Sequence, residues 1–153
     1  MPVLDGRDPA ALQRAAQALA AGALVGLPTE TVYGLAARAD DDTAVGAIYS
    51  AKGRPVGHPL IVHVTDETAA MAFAASWPEP ARRLAAAFWP GPVTVIVPRR
   101  PGVATLSAGG QDSIGLRCPS HPVAQALLRE AAALGVPGVS APSANRFGRV
   151  SPT

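Results

Sequence analysis

Apolar and polar positions along the chain fall into short blocks of alternating period, separated by proline and glycine. Asp8-Pro9 marks a first helix, with aspartate as N-cap and proline at the first helical position, and AALQRAAQALAAG carries it to Gly22. Leu12, Ala15, Ala16 and Leu19 share one face of it, a core-packing stripe. Residues 23–27 read as a buried strand ended by Pro28, Thr29-Glu30-Thr31 as a turn, and 32–37 as an extended apolar segment. Asp40, Asp41 and Asp42 with Thr43 open a second helix, whose body AVGAIYSAKGR turns Ile48 and Tyr49 inward and stops at Gly53. A loop over 55–59 leads into LIVHV, a strand of strong β character. Asp66 or Thr65 caps the helix ETAAMAFAA, and Pro78 opens EPARRLAAAFW, which Pro90-Gly91 ends. PVTVIVP and SIGLRCP are strands on either side of a long glycine-containing loop over 99–110. His121-Pro122 begins PVAQALLREAAAL, Gly135 stops it, and VPGVSAPSA gives a last short strand before NRFGRVSPT runs out as loop. Helices alternate with strands, yet several neighbours are strand–turn–strand. The pattern predicts an α/β fold in three layers, a mixed β-sheet flanked by helices. No repeat or composition break divides residues 1–153, so one domain is expected.

Composition narrows the setting. The 48% hydrophobic and 16% charged content is that of a globular chain. A net charge of +2 without any run of like charges provides no basic arm for nucleic acid. The single cysteine, Cys118, excludes an internal disulfide and fits a reducing cytosol. The first residues lack the charged and apolar regions of a signal peptide, and the alanine-rich stretch 15–27 is broken by Gly22 and Gly26 and too short to span a bilayer. A cytoplasmic location away from membranes is therefore expected. Trp77, Phe88 and Trp89 lack strand spacing and read as core or interface anchors rather than a base-stacking platform.

Candidate chemistry gathers between Pro28 and Val64, where two threonine hydroxyls, Glu30, Tyr33, Lys52, Arg54, His58 and His63 fall at element ends. Lys52 is the only lysine beside 12 arginines. A lysine is a compact charge suited to phosphate, whereas arginine is a planar fork. The plain alternative is a solvated helix end with ordinary C-terminal cations. No Walker loop, dinucleotide fingerprint or metal-ligand spacing occurs, so a nucleotide would be held in another way. Lys52, Arg54, Ser113, Arg117, Ser143, Asn145 and Ser151 are the available donors. Arg117 lies inside a strand, where its charge must be paired or face a ligand. Few acidic residues occupy buried-looking segments, which favours the ligand. A lone strand histidine such as His63 is by pattern more often structural than functional. Cys118 reads as a small buried thiol, not a nucleophile. SAPSAN places hydroxyls and amides after a short strand, where they can bind phosphate or carboxylate.

Taken together, L-P-T-E-T-V-Y-G-L, K-G-R-P-x-x-H-P-L-I-V-H, S-I-G-L-R-x-P and S-A-P-S-A-N with S-P-T behind it resemble the YrdC/YciO family from Leu24 to Thr153. The resemblance implies a three-layer α/β fold with a twisted mixed sheet and a large, positively lined cavity. It also implies threonylcarbamoyl-AMP synthesis from L-threonine, bicarbonate and ATP, assisted by Mg2+ and releasing pyrophosphate. The product would serve a downstream threonylcarbamoyl transferase that modifies tRNA. Family domains continue beyond the position of Thr153 with a segment like G-x-x-S-T-V-V-D. On the resemblance, then, the chain is a single domain lacking those elements, with an exposed edge that favours a homodimer.

Residue by residue, the resemblance assigns Lys52 and Arg54 to catalysis and Thr31, His63, Arg117 and the Ala141 backbone to threonine. Arg117 would grip the carboxylate bidentately. Arg54, His58, Ser113, Ser143, Asn145 and Ser151 would hold the nucleotide, His58 standing where many relatives carry asparagine. No residue is assigned to a metal. The alternative from another class is a non-catalytic module binding double-stranded RNA or tRNA, or associated with the ribosome. A third is a YciO-like enzyme acting on another carbamoyl or acyl-adenylate substrate.

Overall fold

The structure, a computed structural model, describes residues 3–144. Helix α1 (Pro9–Ala20) starts where Asp8 accepts a hydrogen bond from the Ala10 amide. Strands β1 (Val25–Leu27) and β2 (Gly34–Arg38) pair antiparallel around the Thr-Glu-Thr turn. Helix α2 (Asp42–Lys52) is capped by the Asp41 carboxylate and ends on Gly53 at φ +66°, a left-handed conformation that glycine adopts without cost. Then come β3 (Val62–His63), the short α3 (Glu67–Ala70), α4 (Glu79–Phe88), β4 (Val95–Pro98), β5 (Ser113–Arg117), α5 (Pro122–Ala133) and β6 (Val139–Ser140).

Six strands form one sheet in the order β1-β2-β6-β3-β5-β4. Among the described strands only the β3–β5 pair is parallel, so the sheet is mixed as expected. Register decides which side chains share a face. One face carries Val62, Leu116 and Val95, and α2, α3 and α4 cover it. Ala37 and Leu60 pack with Val45, Ile48 and Tyr49, while the β3–β5–β4 side packs with Ala70, Phe73 and Ala81.

The opposite face is covered only in part. Leu27, Ala36, Val139 and Ala141 pack under Leu19 and Ala16 of α1 and Leu127 and Leu128 of α5. Beyond β6 no helix among the described residues covers this face. There Ile61, His63, Gly115, Arg117 and Thr94 share the face, His63 and Arg117 buried beneath the turn between β1 and β2, and Ile96, opposite Gly115, is 70% exposed. The alternating burial of β4 records the same asymmetry, inner positions sealed and outer ones open. Two layers of helix thus sandwich the sheet, with one quadrant left without a helix over it among the described residues.

Several expectations are corrected. The first strand begins at Val25 rather than 23 and is half-exposed, because it forms the sheet edge. LIVHV yields ladder pairing only at Val62 and His63. ETAAMAFAA is helical over four residues, after which Ala75 donates its amide to the Pro98 carbonyl and the chain joins the β4 end. Trp77 and Trp89 pack with ring centroids 5.9 Å apart and donate to Glu67 and to the Val93 carbonyl, so both are anchors with a satisfied polar edge. Phe88 is exposed and takes no part in that core.

Candidate functional site

The uncovered quadrant has two ends. At one, His63 and Arg117 stand side by side in register at the C-terminal ends of parallel β3 and β5. Arg117 is 8% exposed and reaches under the turn between β1 and β2. Its Nε donates to the Gly91 carbonyl (3.2 Å), Nη1 to the Thr31 hydroxyl (3.3 Å) and Nη2 to Glu30 Oε1 (2.5 Å). The other Glu30 oxygen accepts from the Ser120 amide (2.6 Å) and hydroxyl (2.5 Å). Burial alone would raise the Glu30 carboxyl, but the Ser120 donors, its own amide and the Arg117 charge outweigh it and hold the group below the usual carboxylate range. The expectation that Arg117 lacks a carboxylate partner is thus overturned. That partner comes from a loop at the site, not from the core, which is why no buried-looking segment revealed it.

His63 is 2% exposed, and burial first, then the Arg117 charge, push its pKa down to about 4. Its Nδ1 lies 3.2 Å from the Ile61 carbonyl. A carbonyl can only accept, so Nδ1 carries the proton of the neutral ring and Nε2 is left as an acceptor. The Thr29 hydroxyl shapes the turn, donating to the Val32 carbonyl (2.6 Å) and accepting from the amides of Thr31 and Val32 (both 3.3 Å).

At the other end lie the residues preceding β3 and opening β5. Lys52, on the last turn of α2, is 3% exposed and donates to the Ser143 carbonyl at 2.6 Å. Burial, then the Arg54 charge, lower its pKa. The solvated-helix-end alternative fails at this residue. Arg54 donates to the carbonyls of His58 (3.3 Å) and Pro59 (3.0 Å), and the Tyr49 hydroxyl lies 2.8 Å from that His58 carbonyl, so the 55–59 loop is fastened to α2. His58 itself is exposed. Ser143 bridges to Gly34 across the sheet, where a Cβ on residue 34 would meet Ala141 Cβ at 3.2 Å. Ser113 begins β5, four residues before Arg117 on the same face, and at ~3.3 Å per residue the two ends are about 13 Å apart.

The sequence-assigned residues therefore separate into Thr31, His63, Arg117 and Ala141 on the sheet face, and Lys52, Arg54, His58, Ser113 and Ser143 at its end. The Ala141 amide already donates to Ile61, so a contact from it would come through its carbonyl. Asn145 and Ser151 lie outside the described residues. Cys118 is buried, its thiol raised chiefly by burial, with Gln125 and the Thr65 carbonyl as partners, which fits a structural thiol. Glu30 and Ser120 were missed. Glu30 stood in the highlighted turn, but nothing in sequence joins it to Ser120, 90 positions away. Two further grooves lie away from this surface, one of 480 Å³ between Asp40–Asp42 and the 102–104 loop, and an apolar one of 720 Å³ between α1, β1 and Tyr33. No helix among the described residues is long and apolar enough to cross a membrane.

A threonylcarbamoyl-AMP synthase of Pyrococcus abyssi is 44% identical over 132 residues, 86% of this chain and 38% of that protein. One of Bacillus subtilis is 44% identical over 151 residues, 98% of this chain and 42% of its own length. The crystal structure of P. abyssi Sua5 complexed with L-threonine superposes with a TM-score of 0.90 at 40% identity, covering 95% of this chain and 42% of that one. The chain spans about two fifths of the length of these relatives. The model of the Sua5/yciO/yrdC family, described as "Telomere recombination", matches residues 17–153, and the chain belongs to that family.

Proposed function

We propose that this chain carries the chemistry of a threonylcarbamoyl-AMP synthase, joining L-threonine, bicarbonate and ATP and releasing pyrophosphate. The observation that carries this reading is the convergence of an arginine fork, a threonine hydroxyl and a neutral imidazole at one end of an uncovered sheet quadrant, with Lys52 and Arg54 at the other. The first end suits a zwitterionic amino acid with a hydroxyl. Arg117 takes the carboxylate, while Thr31 and the His63 Nε2 acceptor meet the hydroxyl or amine and the Ala141 carbonyl flanks them. The second end suits polyphosphate, with Lys52 and Arg54 as cations and His58, Ser113 and Ser143 around the nucleotide. Asn145 and Ser151 belong to the nucleotide side by resemblance alone.

The threonine amine adds to bicarbonate-derived CO2 to give a carbamate. A carbamate oxygen bonds to the α-phosphorus of ATP as the bond from that phosphorus to the bridging oxygen breaks, and pyrophosphate leaves. No side-chain nucleophile is required. The protein's part is to align the two ends, neutralise developing phosphate charge and exclude water from a labile carbamate. Among the described residues no group of three or more His, Cys, Asp or Glu side chains could hold a metal ion. Mg2+ would therefore enter on the triphosphate, where it offsets charge. Transfer of the product to tRNA by a partner transferase in the cytoplasm belongs to the same reading, as does the treatment of residues 1–153 as one domain.

The test is pyrophosphate release from ATP and bicarbonate with and without L-threonine. Release that depends on threonine and is lost in Lys52→Ala and Arg117→Ala is expected. Release indifferent to threonine would move the reading to another acyl-adenylate, and no release would overturn it.

A further inference from the structure

Glu30 and Ser120 have no role in the assignments above, yet they make the tightest polar contacts in the quadrant. The turn that carries Glu30 does not need it for shape, because the Thr29 hydroxyl already closes that turn through three bonds. Both Glu30 oxygens instead point across to β5 and to the residue before the α5 cap. In a guanidinium, Nε–H and Nη2 lie along one edge, and Nη1 and Nη2 along the other. The Gly91 carbonyl and Glu30 Oε1 together occupy the first edge. The terminal edge, with the Thr31 hydroxyl beside Nη1, is the one left to receive a ligand.

From this geometry we propose that Glu30, held by Ser120, is a positioning residue that fixes the plane of Arg117 and so sets affinity for the amino-acid carboxylate. Arg117 is a long side chain whose rotamers would otherwise have to be frozen by the substrate itself, at a cost to binding. Glu30 removes that cost in advance. Its carboxylate sits on the Nε–Nη2 edge, held there by the two Ser120 donors, and so leaves the other edge to a ligand. Gly91, a backbone group, can hold Nε at a point but leaves the plane free to turn, so the second contact is what defines it. The inference rests on the amino-acid role given to this end of the site.

The test is steady-state kinetics of threonine-dependent pyrophosphate release by the full chain, wild type against Glu30→Gln and Ser120→Ala. Glutamine keeps the size of Glu30 but loses the charge and cannot accept from Ser120 while also accepting from Arg117. For Glu30→Gln the KM for threonine should rise about tenfold or more, the scale of one charge-assisted hydrogen bond, with the KM for ATP within about twofold. Ser120→Ala, at an exposed residue that leaves the fold intact, should move the threonine KM the same way by about threefold. A threonine KM that is unchanged or lower in both, or a rise in both substrates' KM alike, would overturn the positioning role. Wild-type release indifferent to threonine would instead overturn the amino-acid reading, and this inference with it.

Discussion

His63 shows how a residue of unremarkable pattern becomes legible only in three dimensions. A histidine inside an apolar strand is usually filler, and its spacing offers nothing more. In the fold it is sealed beside a buried arginine, and two effects of the same sign keep it neutral. Its depressed pKa has a consequence for stability. The unfolded chain takes up a proton near pH 6.5, whereas the folded chain does not until about 4. The stabilisation is therefore complete above 6.5 and is lost as pH falls through that window, at up to about 1.4 kcal/mol per pH unit. Urea melts of wild type against His63→Gln should show the slope in the first and a flatter profile in the second. Equal slopes would mean that His63 stays solvated. Arg117 and Glu30 both act on the same ring, Glu30 through its carboxylate. Its carboxyl sits below its ordinary 4.5, so its contribution persists above that value and fades beneath it, leaving the interval from 6.5 to 4.5 to His63.

Elements were most legible where a cap or breaker marks their ends. Asp8, Asp41, Asp66 and His121 each accept amides at a helix start, and Gly53 and Gly135 adopt the positive φ expected beyond a helix end. Asp41 takes the Thr43 and Ala44 amides, so Asp41→Ala should cost about 1 kcal/mol, read as a lower urea midpoint at unchanged slope. Gly53→Ala should cost a comparable ~1 kcal/mol, because alanine pays to enter the left-handed region. If either variant melts like wild type, the α2 ends are set by packing rather than by caps. Less legible were elements ruled by partners distant in sequence. LIVHV has the composition of a long strand, but its neighbours meet it over only two residues. The Arg117 partner was hidden for the same reason, since pairing across a sheet and a loop leaves no local trace.

At the scale of the molecule, the candidate site lies where the described helices leave the sheet without a covering layer. Helices pack over both faces, yet α1 and α5 stop at β6 and leave the β3–β5–β4 quadrant to Ile61, Thr94 and Ile96 around Gly115, beside the buried His63 and Arg117. Gly115 keeps its floor low, since a Cβ there would crowd Ile61 and Thr94 at 3.1 Å. A paired substitution probes this sidedness. Ile96→Glu, on the open side, should change stability by less than about 0.5 kcal/mol, whereas Val97→Glu, one residue on and 2% exposed, should unfold the chain. Similar losses from both would show the quadrant to be covered after all.

The position of β6 bears on how the molecule comes into being. It is the last described strand in the sequence but lies in the middle of the sheet, between β2 and β3. As the chain leaves the ribosome, a β1–β2 hairpin and a β3–β5–β4 unit can each form early, tied by Arg117 to Glu30 and Thr31, but the sheet becomes continuous only once residues 139–140 emerge. Lys52 likewise waits for the Ser143 carbonyl, 91 positions later. The Lys52 end of the site is thus completed after the Arg117 end, whose Glu30, Thr31, His63 and Ser120 all precede residue 139.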